Sequence, residues 1–273
     1  MQGDPIEERL PESIAREHLK EFGIRLGDKG THTSRTIMLG DLERLLEECP
    51  PQALREEYAA AIIEHNCLGK RTASTRKISF QRLRELYGLD PSIPLFRLLR
   101  QLWQTDQRGR PLLALLTALA RDSLLRVTAE VIGRMRSGEE LARQQLTDAI
   151  ANSAGDRLSS STIDKVVRNT AASWTQSGHL RGRGRKVRQS VQPTPVVVSF
   201  ALLLAHVTGM RGMGLFHSFW AETLDSPPEG LLQMAIDARR LGLLDLMQSG
   251  GVVEVSFARL LTTQERQLIN GTH

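Results

Sequence analysis

Apolar residues recur at helical spacing through most of this chain, and glycine, proline and short polar caps mark the breaks. Residues 6–21 and 41–66 read as two acidic helical stretches joined by a Gly/Thr/Ser loop around Gly27 to Ser34. Asp41 is placed to cap the second, with Leu42, Leu45 and Leu46 opening its apolar face. Pro50-Pro51 breaks that stretch, and Tyr58, Ile62 and Ile63 carry a new helix to a stop at Asn66–Gly69. Thr72 or Ser74 then caps a helix that ends at Gly88. Its Phe80, Leu83, Leu86 and Tyr87 share one face, while Lys77, Gln81 and Arg84 look away. A further helix runs from Pro94 through Trp103, and TDQRGRP is a turn. Leu112 to Met135 predicts one long helix, apolar nearly all round in its first half and so central to the core. Another helix over about 138–151 leads into the loop NSAGDRLSSS.

From Ser160 the pattern changes. Ser160 or Ser161 caps a helix reaching about Ser177, with Gly178 as its stop. Ile163, Val166, Val167, Thr170, Ala171 and Trp174 fall on one side, and Lys165, Arg168, Asn169, Ala172 and Gln176 on the other. The segment HLRGRGRKVRQSVQPTPVVV follows, a strand-like start, a Gly-rich basic turn, then a Pro-punctuated strand or loop. A helix, a tight stop and a basic hairpin are the layout of a winged helix-turn-helix, whose helix enters the major groove while the hairpin follows an adjacent phosphate backbone. Farther on, Leu231 to Leu244 is amphipathic, and QSGGVVEVSF turns at Gly-Gly into the alternating Val253, Val255 and Phe257. Glu254 stands there in place of a basic wing, so this unit is expected to pack or to pair with a partner.

Composition narrows the class. The chain has 273 residues with 40% hydrophobic, 25% charged and only 4% aromatic positions, which favours a globular, helix-rich fold. The longest apolar stretch, Val196 to Ala205, is far short of the ~20 residues that span a bilayer. The N-terminus shows no basic-then-apolar signal pattern, so a cytoplasmic protein without membrane association is expected. Cys49 and Cys67 supply neither a disulfide framework nor a four-ligand zinc site.

Charge is distributed unevenly. Residues 1–64 are acidic, whereas residues 70–101 carry Lys70, Arg71, Arg76, Lys77, Arg82, Arg84, Arg97 and Arg100 against Glu85 and Asp90. Lys165 to Ala221 holds no carboxylate at all, but contains Lys165, Arg168, Arg181, Arg183, Arg185, Lys186, Arg188 and Arg211. Such concentration is the electrostatic footprint of a polyanion partner; a solvated face, or docking of an acidic partner, is the plainer account.

Catalysis finds little support. There is no GxxxxGK[ST] phosphate loop and no GxSxG elbow. RGRGR has no buried strand before it and no helix after it. His65 with Cys67, His206, His217 and the pairs Glu47-Glu48 and Glu56-Glu57 read as ordinary packed or solvated residues. No cofactor is expected.

The run LLALLTALARDSLLRVTAEVI, then LSSSTIDKVVRNTAASWTQSGHL, then the basic turn, resembles the small helical BrxA family of bacterial BREX phage-defence systems. Upstream, LGKRTASTRKISFQRLREL matches that family's short Ser/Thr/Arg-rich helix, and the resemblance covers roughly residues 60–210 by arrangement. It implies a non-enzymatic, mostly α-helical DNA-binding component of a multi-protein defence system, with a helical core likened to the antiterminator NusB and no catalytic residue to carry over. The acidic N-terminal region and the C-terminal helix-hairpin extend beyond that family's core.

These readings give a mostly α fold with winged helix-turn-helix-like elements and short β-hairpins. Three regions are expected: an acidic helical region over 1–69, a central helical core over 70–155 and a winged-helix-like region over 156–273. On duplex DNA, Lys165, Arg168, Asn169 and Gln176 are the groove-facing candidates. Arg181, Arg183, Arg185, Lys186 and Arg188 are expected to grip phosphates, and five such contacts give a salt slope of about −4 to −5. Arg71, Lys77, Gln81 and Arg84 form a second surface. Partners are duplex DNA and other defence-system proteins, with a homodimer left open. The alternatives are a winged-helix transcription regulator dimeric at an operator, an RNA binder, and a protein-interaction scaffold.

Overall fold

Leu112 through Arg121 are all buried, as is almost every residue from Val196 to Val207, and the two helices that carry them form the centre of the molecule. The computed structural model describes residues 4–11, 16–27 and 31–270. Within them the chain forms α1 (Arg16–Phe22), α2 (Leu39–Glu48), α3 (Arg55–Ile63), α4 (Ala73–Tyr87), α5 (Pro94–Thr105) and α6 (Arg110–Arg121). Next come α7 (Ser123–Arg126), α8 (Ala129–Arg134), α9 (Arg143–Ala154), α10 (Ser160–Gln176) and the hairpin β1 (Leu180–Arg181) with β2 (Val187–Arg188). Then follow α11 (Pro195–Val207), α12 (Phe219–Glu222), α13 (Pro228–Arg240), the hairpin β3 (Asp245–Ser249) with β4 (Val252–Ser256), and α14 (Thr263–Asn270). The fold is thus mostly helical with two small antiparallel hairpins. No helix among the described residues is long and apolar enough to cross a membrane.

Burial explains the placement of the central pair. Leu112, Leu113, Leu115, Leu116 and Leu119 of α6 are at most 5% exposed, and each contributes about 2 kcal/mol of apolar transfer. α11 packs against α6, α12 and α13, and one continuous apolar cluster takes in Ile6, Leu42, Leu115, Leu203 and Ile269. All three regions distinguished in the sequence contribute to that cluster. A smaller one joins Leu124, Leu146, Ile150, Val166 and Val167 beneath α9 and α10.

Several boundaries differ from the sequence reading. The expected helix from Leu112 to Met135 is three pieces, α6, α7 and α8. Asp122 causes the first break: its backbone is extended (φ −133°, ψ 103°), and its carboxylate accepts from the Leu125 amide at 3.0 Å, capping α7. Asp41 does not cap α2; Met38 occupies that position with a left-handed φ of 50°, and Asp41 instead pairs with Lys70 at 2.8 Å. α9 begins at Arg143 because residues before it are drawn into the hairpin of β1 and β2. Val196–Val198, expected as strand or loop, begin α11 behind Pro195 at its first position. The stretch over 6–21 contains a 3-10 turn at Glu7–Arg9 and the short α1, and residues 12–15 lie outside the described ones. By contrast α4, with its Thr72 cap and Gly88 stop, and the Gly250-Gly251 turn between β3 and β4 follow the sequence reading.

Candidate nucleic-acid interface

α10 is capped by Ser159, whose hydroxyl accepts from the Thr162 amide, and Gly178 ends it at φ 91°. Val166, Val167, Thr170, Ala171 and Trp174 are buried as the helical period predicts, and the Trp174 indole donates to Thr128 Oγ1 at 2.8 Å. Lys165 and Arg168 are exposed, and their side chains make no hydrogen bond or ion pair among the described residues. The other two groove-facing candidates are used internally. Asn169 donates to the His32 carbonyl at 2.9 Å; Gln176 accepts from the Leu39 amide and donates to Thr36 Oγ1, both at 2.9 Å. Residues 31–39 therefore lie as a strap across this part of α10. Asn169 and Gln176 hold the chain's own backbone and are withdrawn from any groove-facing set.

The hairpin after α10 is pinned to the segment before α9. Leu180 pairs with Arg188 and Arg181 with Val187, while Glu140 bridges Val187 from the other side. The Leu141 amide donates to the Lys186 carbonyl at 2.7 Å, and the Arg188 amide donates to the Glu139 carbonyl at 2.8 Å. Gly182 makes the turn possible: its φ is +112°, and a Cβ there would stand 2.0 Å from the Arg185 carbonyl oxygen.

The five wing cations separate into four kinds. Arg181 and Arg183 are exposed, with side chains free of partners among the described residues. Arg185 is exposed but pairs with Glu140 at 2.8 Å, and that hydrogen bond raises the guanidinium and lowers the carboxyl from their ordinary values. Lys186 is half-buried and donates to Thr175 Oγ1 at 2.8 Å; burial lowers its ammonium from the usual value. Arg188 is only 4% exposed, ion-paired with Asp225 and donating to the Ile132 carbonyl at 2.9 Å. The expectation that Arg188 grips phosphate is corrected: a buried, fully paired guanidinium is a structural tie. Beside it lies a cavity of about 450 Å³, lined by Trp174, His179, Phe219 and Asp225 among others.

The second surface is likewise thinner than its sequence suggests. Arg71 and Lys77 are exposed with free side chains among the described residues, but Gln81 donates to Glu85 at 3.0 Å and the Arg84 guanidinium lies 5.8 Å from the centre of the Phe80 ring. The other cations of residues 70–101 hold the fold together. Arg76 donates to the Ile63 carbonyl, Arg82 pairs with Glu85, Arg97 with Glu265, and Arg100 donates to the Cys49 carbonyl.

Sequence reasoning missed a buried polar triplet. His32 Nδ1 lies 2.8 Å from Asp122 Oδ2, and His32 Nε2 lies 2.7 Å from Ser173 Oγ. The Ser-His-Asp order of a hydrolase is thus present, but all three residues are 0% exposed, so no substrate carbonyl reaches the hydroxyl. Ser173 Oγ also accepts from the Ile37 amide at 3.0 Å, which ties the strap to α10. Burial alone would raise the Asp122 carboxyl, but His32 and the Leu125 and His32 amides hold it below its ordinary value. The partners stand 90 and 141 positions from His32, and no local motif announces them. The chain matches no protein-family model and no curated protein.

Proposed function

We propose that this protein is a non-enzymatic DNA-binding accessory protein of a bacterial phage-defence system, holding duplex DNA through the outer half of α10 and the wing between β1 and β2. One observation carries the DNA contact: Lys165, Arg168, Arg181 and Arg183 are exposed, uncommitted cations in a stretch without carboxylates. Arg185 adds to them, since its exposed pair with Glu140 is readily exchanged for a phosphate. Pinning of the wing by Glu139–Leu141 favours this use, because a preordered loop loses less entropy on binding. The defence setting and its protein partners rest on the family resemblance over residues 60–210.

Fluorescence anisotropy against labelled duplex DNA, with a matched single-stranded RNA, tests the reading. With Arg188 removed from the set, four wing cations remain, and the plot of log K against log[salt] is expected to fall with a slope of about −3 to −4. Replacing Arg181, Arg183, Arg185 and Lys186 with alanine should weaken binding across sequences and flatten that slope. An unchanged slope in the variant overturns the wing assignment. Absence of duplex binding at low salt overturns the DNA reading as a whole.

A further inference from the structure

Away from the wing, a cleft of about 440 Å³ opens between the strap, the start of α2, α4 and the end of α10. We propose that it is a binding site for a phosphate group, formed by the open N-terminus of α2, Arg35, Arg44 and the Ser79 hydroxyl. α2 has no side-chain cap, since Met38 holds the capping position. The Leu39 amide is taken by Gln176, but the Gly40 amide has no acceptor among the described residues and lines the cleft. A ten-residue helix with no cap from its own capping residue presents partial positive charge and one free donor, the Gly40 amide, to that space.

A second, independent feature points to a ligand. Ser79 is 2% exposed and lines the same cleft, yet its hydroxyl makes no hydrogen bond among the described residues. Its oxygen is not sealed in the core, so an oxygen-rich guest in the cleft can reach it and take the place of water. The local charge agrees. Lys70 is neutralised by Asp41, whereas Arg35 and Arg44 each give one donor to a carbonyl, of Ser34 and Leu68, and keep the rest of their guanidinium donors. No aromatic ring lines the cleft, so nothing stacks a base. The chemistry present recognises the phosphate group itself, whether carried by a nucleic-acid backbone or by a small phosphorylated molecule.

Gly40→Asp is the deciding variant. A side chain at Gly40 meets nothing within 4 Å, and its backbone is not in the left-handed region. The new carboxylate therefore fits, favours the helix start and competes for the anion's place. Thermal unfolding of the full-length protein would be followed while inorganic phosphate is titrated at constant ionic strength with sodium chloride. The wild type is expected to show a saturable rise in midpoint. Gly40→Asp should weaken the apparent affinity about tenfold or more without lowering the phosphate-free midpoint, and Arg35→Ala with Arg44→Ala should do the same to affinity. Equal stabilisation by chloride, or an unchanged phosphate response in Gly40→Asp, overturns the site. The wing variant should keep the response, which separates this site from the duplex reading. If Gly40→Asp also weakens duplex binding, the phosphate is that of a nucleic-acid backbone; if duplex binding is unchanged while phosphate binding is lost, the ligand is a small phosphorylated molecule.

Discussion

Asp225→Asn is expected to destabilise the protein by about 3 kcal/mol, read as a fall of roughly 5–10 °C in the thermal midpoint. Arg188 and Asp225 form an ion pair in which the guanidinium is 4% exposed, and the other Asp225 oxygen accepts from the Val191 amide at 3.1 Å. Asparagine preserves the shape and tolerates the left-handed backbone at this position (φ 53°), so the change isolates the lost charge. It leaves a guanidinium with almost no access to water and no counter-charge. Arg188→Met combined with Asp225→Asn should recover part of the loss, since an apolar replacement of a buried pair is often near neutral. The double-mutant cycle then gives the coupling. The same series separates two roles for Arg188. A structural tie predicts that Arg188→Met lowers the midpoint and leaves the salt slope of DNA binding alone; a phosphate contact predicts the reverse. His179 sits against the same pair, and burial pushes its imidazole down to about 4. A histidine kept neutral in the fold stabilises fully above its ordinary 6.5, and that contribution is lost as pH falls from 6.5 toward 4.

Asp122→Ala should be at least as damaging, by about 3–5 kcal/mol, because three dependent groups lose their acceptor together. The carboxylate caps α7 through the Leu125 amide at 3.0 Å and receives both the His32 amide at 3.0 Å and the His32 ring at 2.8 Å. Without it the His32 polar atoms stay buried and underpaired, and the strap loses its anchor at the corner between α6 and α7. Asp122→Asn keeps the cap acceptor and is expected to cost less. Because the Asp122 carboxyl lies below its ordinary 3.8, its stabilising effect is present above that value and lost as pH falls through its lowered value in the fold. Acid unfolding should therefore be steeper in the wild type than in Asp122→Asn. Equal stability of wild type and Asp122→Ala by denaturant melts would show that the triplet contributes nothing to holding the strap.

Local chemistry was readable from the chain wherever the deciding residues sit close together. The Thr72 cap and Gly88 stop define α4, the apolar face of α10 follows its period, and RGRGR with Gly182 at its turn marks the wing. Long-range pairing was not readable, and it changes both the fold and the site. Nothing between Leu112 and Met135 signals that Asp122 turns aside to meet His32, 90 positions away. The local clustering of basic residues similarly overstates the free surface. Arg97 is taken by Glu265, Arg126 by Asp4 and Arg188 by Asp225, each pair joined across the fold rather than along the chain. Arginine's five donors make it suited to binding stranded carbonyls as well as carboxylates, so a run of arginines describes internal scaffolding as readily as a phosphate track.

The strap also sets an order of events as the chain folds. Its anchors are Asp122 at the end of α6, Ser173, Asn169 and Gln176 on α10, and the Tyr87 hydroxyl, which donates to the Ile37 carbonyl. Residues so distant in sequence meet only after long loops have closed, which makes strap docking a late event compared with the pairing of α5 with α6. In pulse-labelled hydrogen exchange, the amides of Ile37 and Leu39 should gain protection after those of α6, so that the strap reports when assembly is complete.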